Sequence, residues 1–227
     1  VNILDEAKKL DAQKRFTAVQ DGIKKLLVDN FIEMRALIHP EGPVISFNDI
    51  TIIIPHLGET KEQCYSLSQC LISLKETFDE KIIVVKNGYT ACICWRDMRI
   101  LEQGQCKAVN AAVATTNTPW VFVTNDDMVY APGWWEDLVM ELPQDALCIS
   151  PQLIEPRKGA PTFIEYFCGG AGGDFDKPKW LDFCADHSAA GLRTGFNLPF
   201  LIKRELWNLI GGYDVAMDPW GSNSDSD

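Results

Sequence analysis

The sequence has little positive charge for its length. Its 227 residues include 21 Lys and Arg against 32 Asp and Glu, which gives a net charge of −11 at pH 7. A protein that binds nucleic acid through the phosphates presents an excess of basic side chains, so nucleic acid is excluded as a general partner. A basic partner, or a metal ion that offsets local negative charge, is compatible with this composition.

Long apolar runs are also absent. No window approaches the roughly 18 uninterrupted apolar residues of a membrane-spanning helix, and the N-terminus lacks the basic and apolar regions of a signal peptide. We therefore predict a cytoplasmic protein, although a chain that begins with Val1 leaves room for an upstream targeting segment. With 46% hydrophobic residues, the chain can bury the core of one large domain, or of a domain with a small appendage.

Paired cysteine motifs are the third absence. The eight cysteines are spread along the chain and none of them forms a CxxC pair. Cys92 and Cys94 are separated by one residue, which is too short for ordinary zinc-knuckle spacing. A chain with a sizeable core does not need covalent cross-links, so we predict reduced cysteines and no structural zinc site.

The N-terminal part of the chain has a helical pattern. Residues 1–39 contain no proline and a single glycine, and their apolar residues recur at helical spacing, for example from Phe16 to Ile23. The sequence HPEGP then ends this pattern. We predict a helical arm and joint over 1–43 and a separate domain over 44–227. The apolar stripe of the arm would pack on its own domain or form an oligomer contact.

The second domain alternates short apolar runs with helical stretches. The runs are ITIIIP at 50–55, KIIVVKNG at 81–88 and WVFVTNDD at 120–127. Helical patterns at about 60–77 and 105–116 separate them. Continuous apolar strands separated by helices are typical of a parallel sheet that is covered on both faces, so we predict an α/β fold.

Polar residues follow each predicted strand. The three strand ends are Pro55-His56-Leu57-Gly58, Lys86-Asn87-Gly88 and Asn125-Asp126-Asp127. In open α/β sheets, ligands bind beyond the carboxyl ends of the strands. The three segments should therefore face one crevice.

Asp126 and Asp127 are adjacent carboxylates, which repel one another unless a cation, hydrogen-bond donors or water surround them. They can end the strand in a simple turn, with a side chain that caps the next segment. They can also bind a hard divalent cation, because Mg²⁺ and Mn²⁺ take one or two protein carboxylates and complete their shell with substrate phosphates and water. The residues alone leave both interpretations open.

The ordered segments resemble the family 2 nucleotide-sugar glycosyltransferases, whose GT-A fold is a Rossmann-like, mostly parallel sheet flanked by helices. The resemblance covers residues 50–227 and is carried by ITIIIPHLGET, IIVVKNG, GQCKAVNAAVATTNTPWVFVTNDDMVYAPGWW and GFNLPFLIKRELWNLIGGYDVAMDPWGSNSDSD. Each segment is weak alone, whereas the ordered set is specific. It implies an inverting hexosyltransferase that moves a sugar from a nucleotide-sugar, with UDP expected, to a hydroxyl of a saccharide or glycoconjugate acceptor.

The resemblance also implies site residues. Asp127 falls on the second Asp of the family's DxD motif and is the expected Mn²⁺ or Mg²⁺ ligand, while Asn125 replaces the first Asp. Asn125 and Asp126 should lie beside the ribose or diphosphate. Independently of the resemblance, His187 is a candidate for a further metal ligand or, alternatively, an ordinary surface or core histidine. The other expected donor contacts are Pro55, His56, Leu57, Glu59, Asn87, Gly104, Lys107 and Asn110. Asn87 stands where the family usually has an Asp and can donate to and accept from a pyrimidine edge. The first two strand ends can also be ordinary turns, with a Pro and a Gly after β-type residues at 55–58 and an Asn-Gly pair at 87–88.

The helix that follows Gly104 should begin under the sugar-diphosphate. Gly104 allows close approach, and Lys107 and Asn110 lie on successive turns of one helical face. The free N–H groups at a helix N-terminus also favour a phosphate. A plain surface helix is the alternative interpretation.

The acceptor side requires a general base, because a carboxylate must take the proton of the attacking hydroxyl. In the family this base is the Asp of an ED motif after GG(F/Y)D, and here Ser224 replaces the Glu. Asp225 is the best match and Asp227 the second. The composition of this tail alone would also fit disorder. The family continues with a helix, so we expect the chain to be C-terminally incomplete.

The glycine-rich segment 167–197 is predicted to be a mobile or closely approached loop that builds the acceptor pocket. Trp134, Trp135 and Trp180 are candidates for stacking on a sugar ring or, alternatively, for the core.

Two other classes of protein stay open. A nucleotidyltransferase would use the same crevice but would need a basic phosphate loop after the first strand, and PHLGET has no basic residue before Lys61. A non-catalytic sugar- or partner-binding domain would explain the Asn at 125 and the missing Glu before Asp225.

Overall fold

The part of the chain that the computed structural model describes belongs to the unit Val44–Asp227. The described residues are 45–75, 78, 81–87, 97–100, 104–140, 142–143, 145–155, 163–169, 174–186 and 198–218. The predicted arm and joint over 1–43 lie outside them, as do His187, Asp225 and Asp227. The division into an arm and a catalytic domain therefore stays a prediction.

Eight strands are present in these residues. They are β1 (Ile50–His56), β2 (Ile82–Asn87), β3 (Asp97–Ile100), β4 (Trp120–Val123), β5 (Cys148–Ile149), β6 (Leu153–Glu155), β7 (Phe163–Glu165) and β8 (Phe200–Lys203). The main sheet has six strands in the order β3-β2-β1-β4-β8-β5, and β6 and β7 form a separate parallel pair.

The main sheet is mostly parallel, as the sequence predicts. β1 pairs in parallel with both β2 and β4, and β2 pairs in parallel with β3. β8 then runs antiparallel to β4, and β5 runs antiparallel to β8. The three strands predicted from the apolar runs are thus neighbours, which confirms the predicted fold class.

Five α-helices connect or flank the strands in the described ranges. They are α1 (Lys61–Lys75), α2 (Gln105–Ala114), α3 (Trp134–Met140), α4 (Lys177–Asp186) and α5 (Arg204–Ile210), with 3₁₀ turns at Phe47–Asp49 and Val215–Met217. None of these helices has the length and apolar character needed to cross a bilayer. The prediction of a continuous loop over 167–197 is wrong where α4 forms.

The core lies on both faces of the sheet, and β1 contributes to both. Ile52 and Ile54 pack into one cluster with Phe122, while Ile53 packs into the other with Val121. Successive side chains of a strand point to opposite faces, so a strand covered on both sides must be apolar throughout. This is the physical reason for the uninterrupted run at 50–54.

The candidate sugar-stacking tryptophans are core residues in this structure. Trp134 and Trp135 are buried, and the Trp134 ring lies 4.3 Å from the Tyr130 ring and 5.1 Å from the Phe122 ring, measured between centroids. Trp180 is also buried and contacts Phe175. The core interpretation therefore holds for all three.

The cysteine prediction is wrong at one position, because Cys64 on α1 is disulfide-bonded. The described free thiols are Cys70, Cys106, Cys148, Cys168 and Cys184. The argument from core size shows that a disulfide is not needed for stability, but it does not prevent two thiols that fold together from pairing.

The two-sided burial of β1 generates a stability prediction. Ile53→Val removes one methylene from a fully buried site and should lower the free energy of unfolding by about 0.5–1.5 kcal/mol. Ile72→Val, on the exposed face of α1, is the matched control and should change it by less than about 0.5 kcal/mol. Urea denaturation of both variants provides the measurement, and equal effects would contradict a central position for β1.

Candidate active site

The carboxyl ends of β1, β2 and β4 meet at one edge of the sheet. His56 of β1 is in register with Lys86 of β2, and Ile53 of β1 is in register with Val123 of β4. The N–H of Thr124 donates to the Ile53 carbonyl at 3.1 Å, which extends the contact just beyond β4. The parallel pairing thus brings the polar ends of these strands together.

His56 and Asp126 form the central contact of this edge. Nδ1 of His56 lies 2.5 Å from Oδ2 of Asp126, and the His56 side chain is fully buried while the Asp126 side chain keeps 24% of its exposure. Nε2 of His56 is buried without a hydrogen-bond partner among the described atoms. The buried histidine therefore orients the Asp126 carboxylate, and Asp126 is the member of the pair that reaches solvent.

Asp127 lies next to this pair, in the turn that follows β4. Its side chain reaches solvent, but burial by nearby protein atoms raises the pKa of its carboxyl, and the negative charges of Asp126 and Glu155 raise it further. The turn interpretation and the cation interpretation are thus compatible, because the turn concentrates negative charge that a cation would offset.

The donor set fits a hard divalent cation such as Mn²⁺ or Mg²⁺. Carboxylate oxygens are the ligands that these ions prefer. Within the described ranges, however, no three His, Cys, Asp or Glu side chains converge on one point. The described residues would thus supply one or two carboxylate ligands at this turn, a number that is common for Mg²⁺, which completes its shell with phosphate and water.

Neutral side chains contact the turn of Asn125, Asp126 and Asp127, which is called the acidic turn below. The Cys70 thiol of α1 donates to the Asn125 carbonyl at an S···O distance of 3.6 Å. Burial, followed by the charges of Asp126 and Asp127, raises the pKa of this thiol, so it stays protonated and is not a nucleophile. The Tyr130 hydroxyl lies 2.5 Å from the Thr124 hydroxyl and fixes the far side of the turn.

Asn125 connects the turn to the start of α2. Its side-chain oxygen accepts a hydrogen bond from Nε2 of Gln105 at 3.4 Å. Gln105 is the first residue of α2, so the helix N-terminus predicted to lie under the diphosphate is indeed next to the turn after β4.

Two N–H groups at the start of that helix bond to a side chain of the same protein, and phosphate binding at this helix N-terminus stays a prediction. The N–H groups of Cys106 and Lys107 donate to the two carboxylate oxygens of Asp218 at 3.0 and 2.9 Å. The N-cap residue, Gly104, has no side chain to accept them. A distant aspartate therefore supplies the cap.

Asn110 faces the GGYD segment. Its amide nitrogen donates to the Tyr213 carbonyl at 2.8 Å, and its oxygen accepts from the Tyr213 N–H at 3.0 Å. These two bonds give Asn110 a structural role, and its contact with a nucleotide donor stays a prediction.

The other predicted donor contacts are spread over the same edge. Pro55 is buried in β1, Leu57 is half-buried and Glu59 is exposed before α1. Asn87 is the last residue of β2, and its side chain lies outside the description. The structure thus brings the ends of β1, β2 and β4 together but does not test these contacts.

Sequence reasoning missed four supporting residues, namely Cys70, Gln105, Glu155 and Asp218. No local pattern identifies them, because each acts on a residue at least 20 positions away or through charge alone. The single available signal was Gly104, a helix start without a capping side chain, which requires an acceptor from elsewhere.

The His56–Asp126 contact generates a second stability prediction. His56→Ala removes a buried ring and its bond to a carboxylate and should lower the free energy of unfolding by about 2–4 kcal/mol. His56→Asn places an amide nitrogen where Nδ1 stood and should recover about 1–2 kcal/mol of that loss. Chemical denaturation at neutral pH compares the two variants, and an equal loss in both would show that the bond to Asp126 contributes nothing.

Several solved structures resemble this chain, and the three named here each have a TM-score below 0.5. The mannosyltransferase PcManGT from Pyrobaculum calidifontis, in complex with GDP-Man and Mn²⁺, has a TM-score of 0.49 and 16% sequence identity, and the match covers 88% of this chain and 57% of that one. The bifunctional IspDF from Campylobacter jejuni has a TM-score of 0.47 and 13% identity, with 78% of this chain and 47% of that one covered. Glucosyl-3-phosphoglycerate synthase from Mycobacterium tuberculosis, in complex with Mn²⁺, UDP and phosphoglyceric acid, has a TM-score of 0.41 and 14% identity, with 70% of this chain and 57% of that one covered. The chain therefore spans about half the length of these structures.

The family comparison agrees with the motifs and the sheet. No curated protein matches the sequence significantly. Residues 98–197, which include α2, β4 and the acidic turn, match the sequence model described as glycosyl transferase family 2. The mixed, mostly parallel sheet with flanking helices matches the GT-A fold. Residues 98–197, which are less than half of the chain, are therefore similar to the family 2 glycosyltransferases.

Proposed function

We propose that the chain is an inverting, metal-assisted hexosyltransferase. It would move a sugar from a nucleotide-sugar, with UDP as the expected nucleotide, to a hydroxyl of a saccharide or glycoconjugate acceptor. The observation that carries this proposal is the acidic turn after β4, which lies at the carboxyl ends of the parallel strands and within the matched segment 98–197. Ligands of open α/β sheets bind at that edge.

Asp127 is the proposed metal ligand. Its side chain reaches solvent, and the negative charges of Asp126 and Glu155 lie near its carboxyl. A cation would therefore relieve the repulsion from these two residues. A bound Mn²⁺ or Mg²⁺ would act as a Lewis acid on the leaving diphosphate. Because Asn125 replaces the first acid of a DxD motif, the two carboxylates of the turn are adjacent instead of being separated by one residue.

Asp126 is proposed to bind the ribose or diphosphate side of the donor. Its Oδ2 is held by His56, which leaves Oδ1 to accept from a donor hydroxyl or to contact the metal's water shell. His56 itself is fully buried, so its part in donor binding is to position Asp126.

The proposed general base is Asp225, with Asp227 as the second choice. Inversion requires the acceptor hydroxyl to attack from the face opposite to the leaving diphosphate, and a carboxylate must take its proton. Asp225 follows the described residue Asp218 by seven positions in the sequence. Its role rests on the match to the family motif.

The location, the assembly and the domain division of the protein are proposed from the sequence alone. We propose a cytoplasmic protein whose helical arm over 1–43 packs on the catalytic domain or on a second copy of the chain. Size-exclusion chromatography with light scattering, with and without the arm, separates these two arrangements.

The metal assignment predicts a loss of donor binding. Asp127→Ala should weaken binding of UDP in the presence of Mn²⁺ by at least about tenfold, because a divalent ion held by so few protein ligands cannot spare one. The melting temperature should change little, since the side chain reaches solvent. Isothermal titration with UDP and with GDP, each with and without Mn²⁺, provides the measurement.

Asp145→Ala is the matched control, because Asp145 is an exposed acid outside the site. It should leave nucleotide affinity unchanged. Unchanged affinity in Asp127→Ala as well would reduce the acidic turn to a structural role. Nucleotide binding without release of nucleotide from any nucleotide-sugar would favour the non-catalytic binding domain.

The base assignment predicts a loss of transfer without a loss of binding. Asp225→Asn keeps the size of the side chain but cannot take a proton, so transfer should fall by about 10² to 10⁴. UDP affinity should stay at the parent value, and Asp227→Asn should have a much smaller effect. Transfer rates of the two variants, with the nucleotide-sugar that gives the fastest turnover, provide the measurement. Parent-like activity of Asp225→Asn would remove Asp225 from the mechanism.

A further inference from the structure

The N-terminus of α2 is capped across a very long sequence separation. Gly104, at the N-cap position, makes no side-chain hydrogen bond to the helix. The two oxygens of Asp218 accept the N–H groups of Cys106 and Lys107, which lie 112 and 111 residues earlier in the chain. These are the second and third residues of the helix, which is where a cap side chain normally bonds.

The place that Asp218 occupies is shaped for it. A Cβ atom added at Gly104 would lie 2.2 Å from Oδ2 and 2.4 Å from Cγ of Asp218. No side-chain carbon fits at that distance, so any other residue at 104 would push the carboxylate away from the helix. Glycine at this position therefore does two things, because it lacks a cap of its own and leaves room for the distant one.

The segment that leads to Asp218 is attached to the same helix a second time. Asn110 makes two hydrogen bonds with the backbone of Tyr213, and a Cβ at Gly212 would lie 2.5 Å from the Asn110 oxygen. Both attachments are on α2, which contacts β1 and β2 in the sheet. The chain from Gly212 to Asp218 thus follows α2 back to its N-terminus.

That N-terminus is at the candidate active site. Gln105, next to the capped N–H groups, donates to Asn125 of the acidic turn. Asp218 is therefore connected to the turn that carries Asp126 and Asp127 through the first residues of α2. The seven residues from Asp218 to Asp225 can extend by at most about 25 Å from this point.

We propose that Asp218 is a positioning residue for the transfer reaction. Its carboxylate anchors the segment that leads to the general base at the start of α2, beside the donor crevice. The same contact keeps the N–H groups of Cys106 and Lys107 from binding the donor diphosphate. This inference rests on the proposed function, because it gives the anchored segment a task in catalysis.

The alternative to a positioning role is that Asp218 competes with the donor for the N-terminus of α2. A diphosphate could displace the carboxylate from the helix N-terminus, since both are anions that N–H groups bind. Asp218 would then compete with the donor, and its removal would tighten nucleotide binding. A positioning role predicts no change in nucleotide binding.

The test uses Asp218→Ala, the milder Asp218→Asn and a third variant, Gly104→Ala, which displaces the carboxylate by steric contact and also strains the backbone at a φ of +154°. Asp214→Ala is the matched control, because the bond that Asp214 accepts among the described residues comes from the N–H of Ala216 in its own 3₁₀ turn and not from α2. Amide hydrogen exchange at Cys106 and Lys107 is measured in the full chain, with and without UDP and Mn²⁺. Donor KM, kcat for transfer and UDP affinity are measured for the same proteins.

A positioning role predicts faster amide exchange, by about fivefold or more, at Cys106 and Lys107 in the three test variants and not in Asp214→Ala. UDP with Mn²⁺ should not slow this exchange. In Asp218→Ala, kcat should fall by about 10- to 100-fold at unchanged donor KM and UDP affinity, with Asp218→Asn between it and the parent.

Two results would overturn the proposal. Tighter UDP binding in Asp218→Ala, with UDP restoring protection of the two amides, would make Asp218 a competitor of the donor. Parent-like kcat in Asp218→Ala despite fast exchange would make it a helix cap only. If the parent binds no UDP or GDP and turns over no nucleotide-sugar, the proposed function fails, and the exchange data still decide whether Asp218 caps α2.

Discussion

The position of β1 between two parallel neighbours is the constraint on which the site depends. Parallel strands end at the same edge of a sheet, so pairing of β1 with β2 and with β4 brings segments together that are about 30 to 70 residues apart in the sequence. His56 meets Asp126 only because of this pairing. The pairing in turn requires that β1 be apolar on both faces, since each face is covered.

The negative charge of the acidic side chains at the candidate site is the second constraint. Each of these side chains is stabilised by a different kind of partner. Asp126 is paired with a buried histidine, and the carbonyl of Asn125 receives the protonated Cys70 thiol. Asp218 is satisfied by two backbone N–H groups. Asp127 accepts a backbone hydrogen bond that lowers the pKa of its carboxyl, but burial and the charges of Asp126 and Glu155 raise this pKa overall. It is therefore the position where an external cation has the most to offset.

The sequence predicted the parts of the fold that repeat a simple pattern. β1, β2 and β4 are continuous apolar runs, and α1 and α2 lie within two residues of their predicted ends. β3 and β5 to β8 are not predicted, because strands of two to four residues carry little periodicity of their own. β4 is as short, but the polar strand end Asn125-Asp126-Asp127 that follows it made it recognisable. α4 was missed because the glycines on either side of it dominated the pattern of 167–197.

The candidate site was predicted less completely, for a reason of distance along the chain. Strand ends can be found from local patterns, and the acidic turn was found in this way. The partners of those residues cannot, because His56 is 70 residues from Asp126 and Asp218 is 112 residues from Cys106. Only the three-dimensional pairing shows that His56 acts through a carboxylate and that the helix N-terminus is already occupied.

The occupied helix N-terminus changes how a bound diphosphate could be neutralised. A phosphate at such a position normally gains from free N–H groups and from the helix dipole. Here Asp218 uses two of those groups and adds a negative charge beside them. On the proposed function, the compensation for the diphosphate must then come mainly from a divalent cation at Asp127 and from basic side chains, of which Lys107 is on the same helix turn. The Asn at 125 fits this balance, because a third carboxylate in the turn would add to the repulsion that Asp127 already experiences. A site in which two helix N–H groups are already bonded to a carboxylate would depend more strongly on a bound cation and on basic side chains than one in which those groups are free.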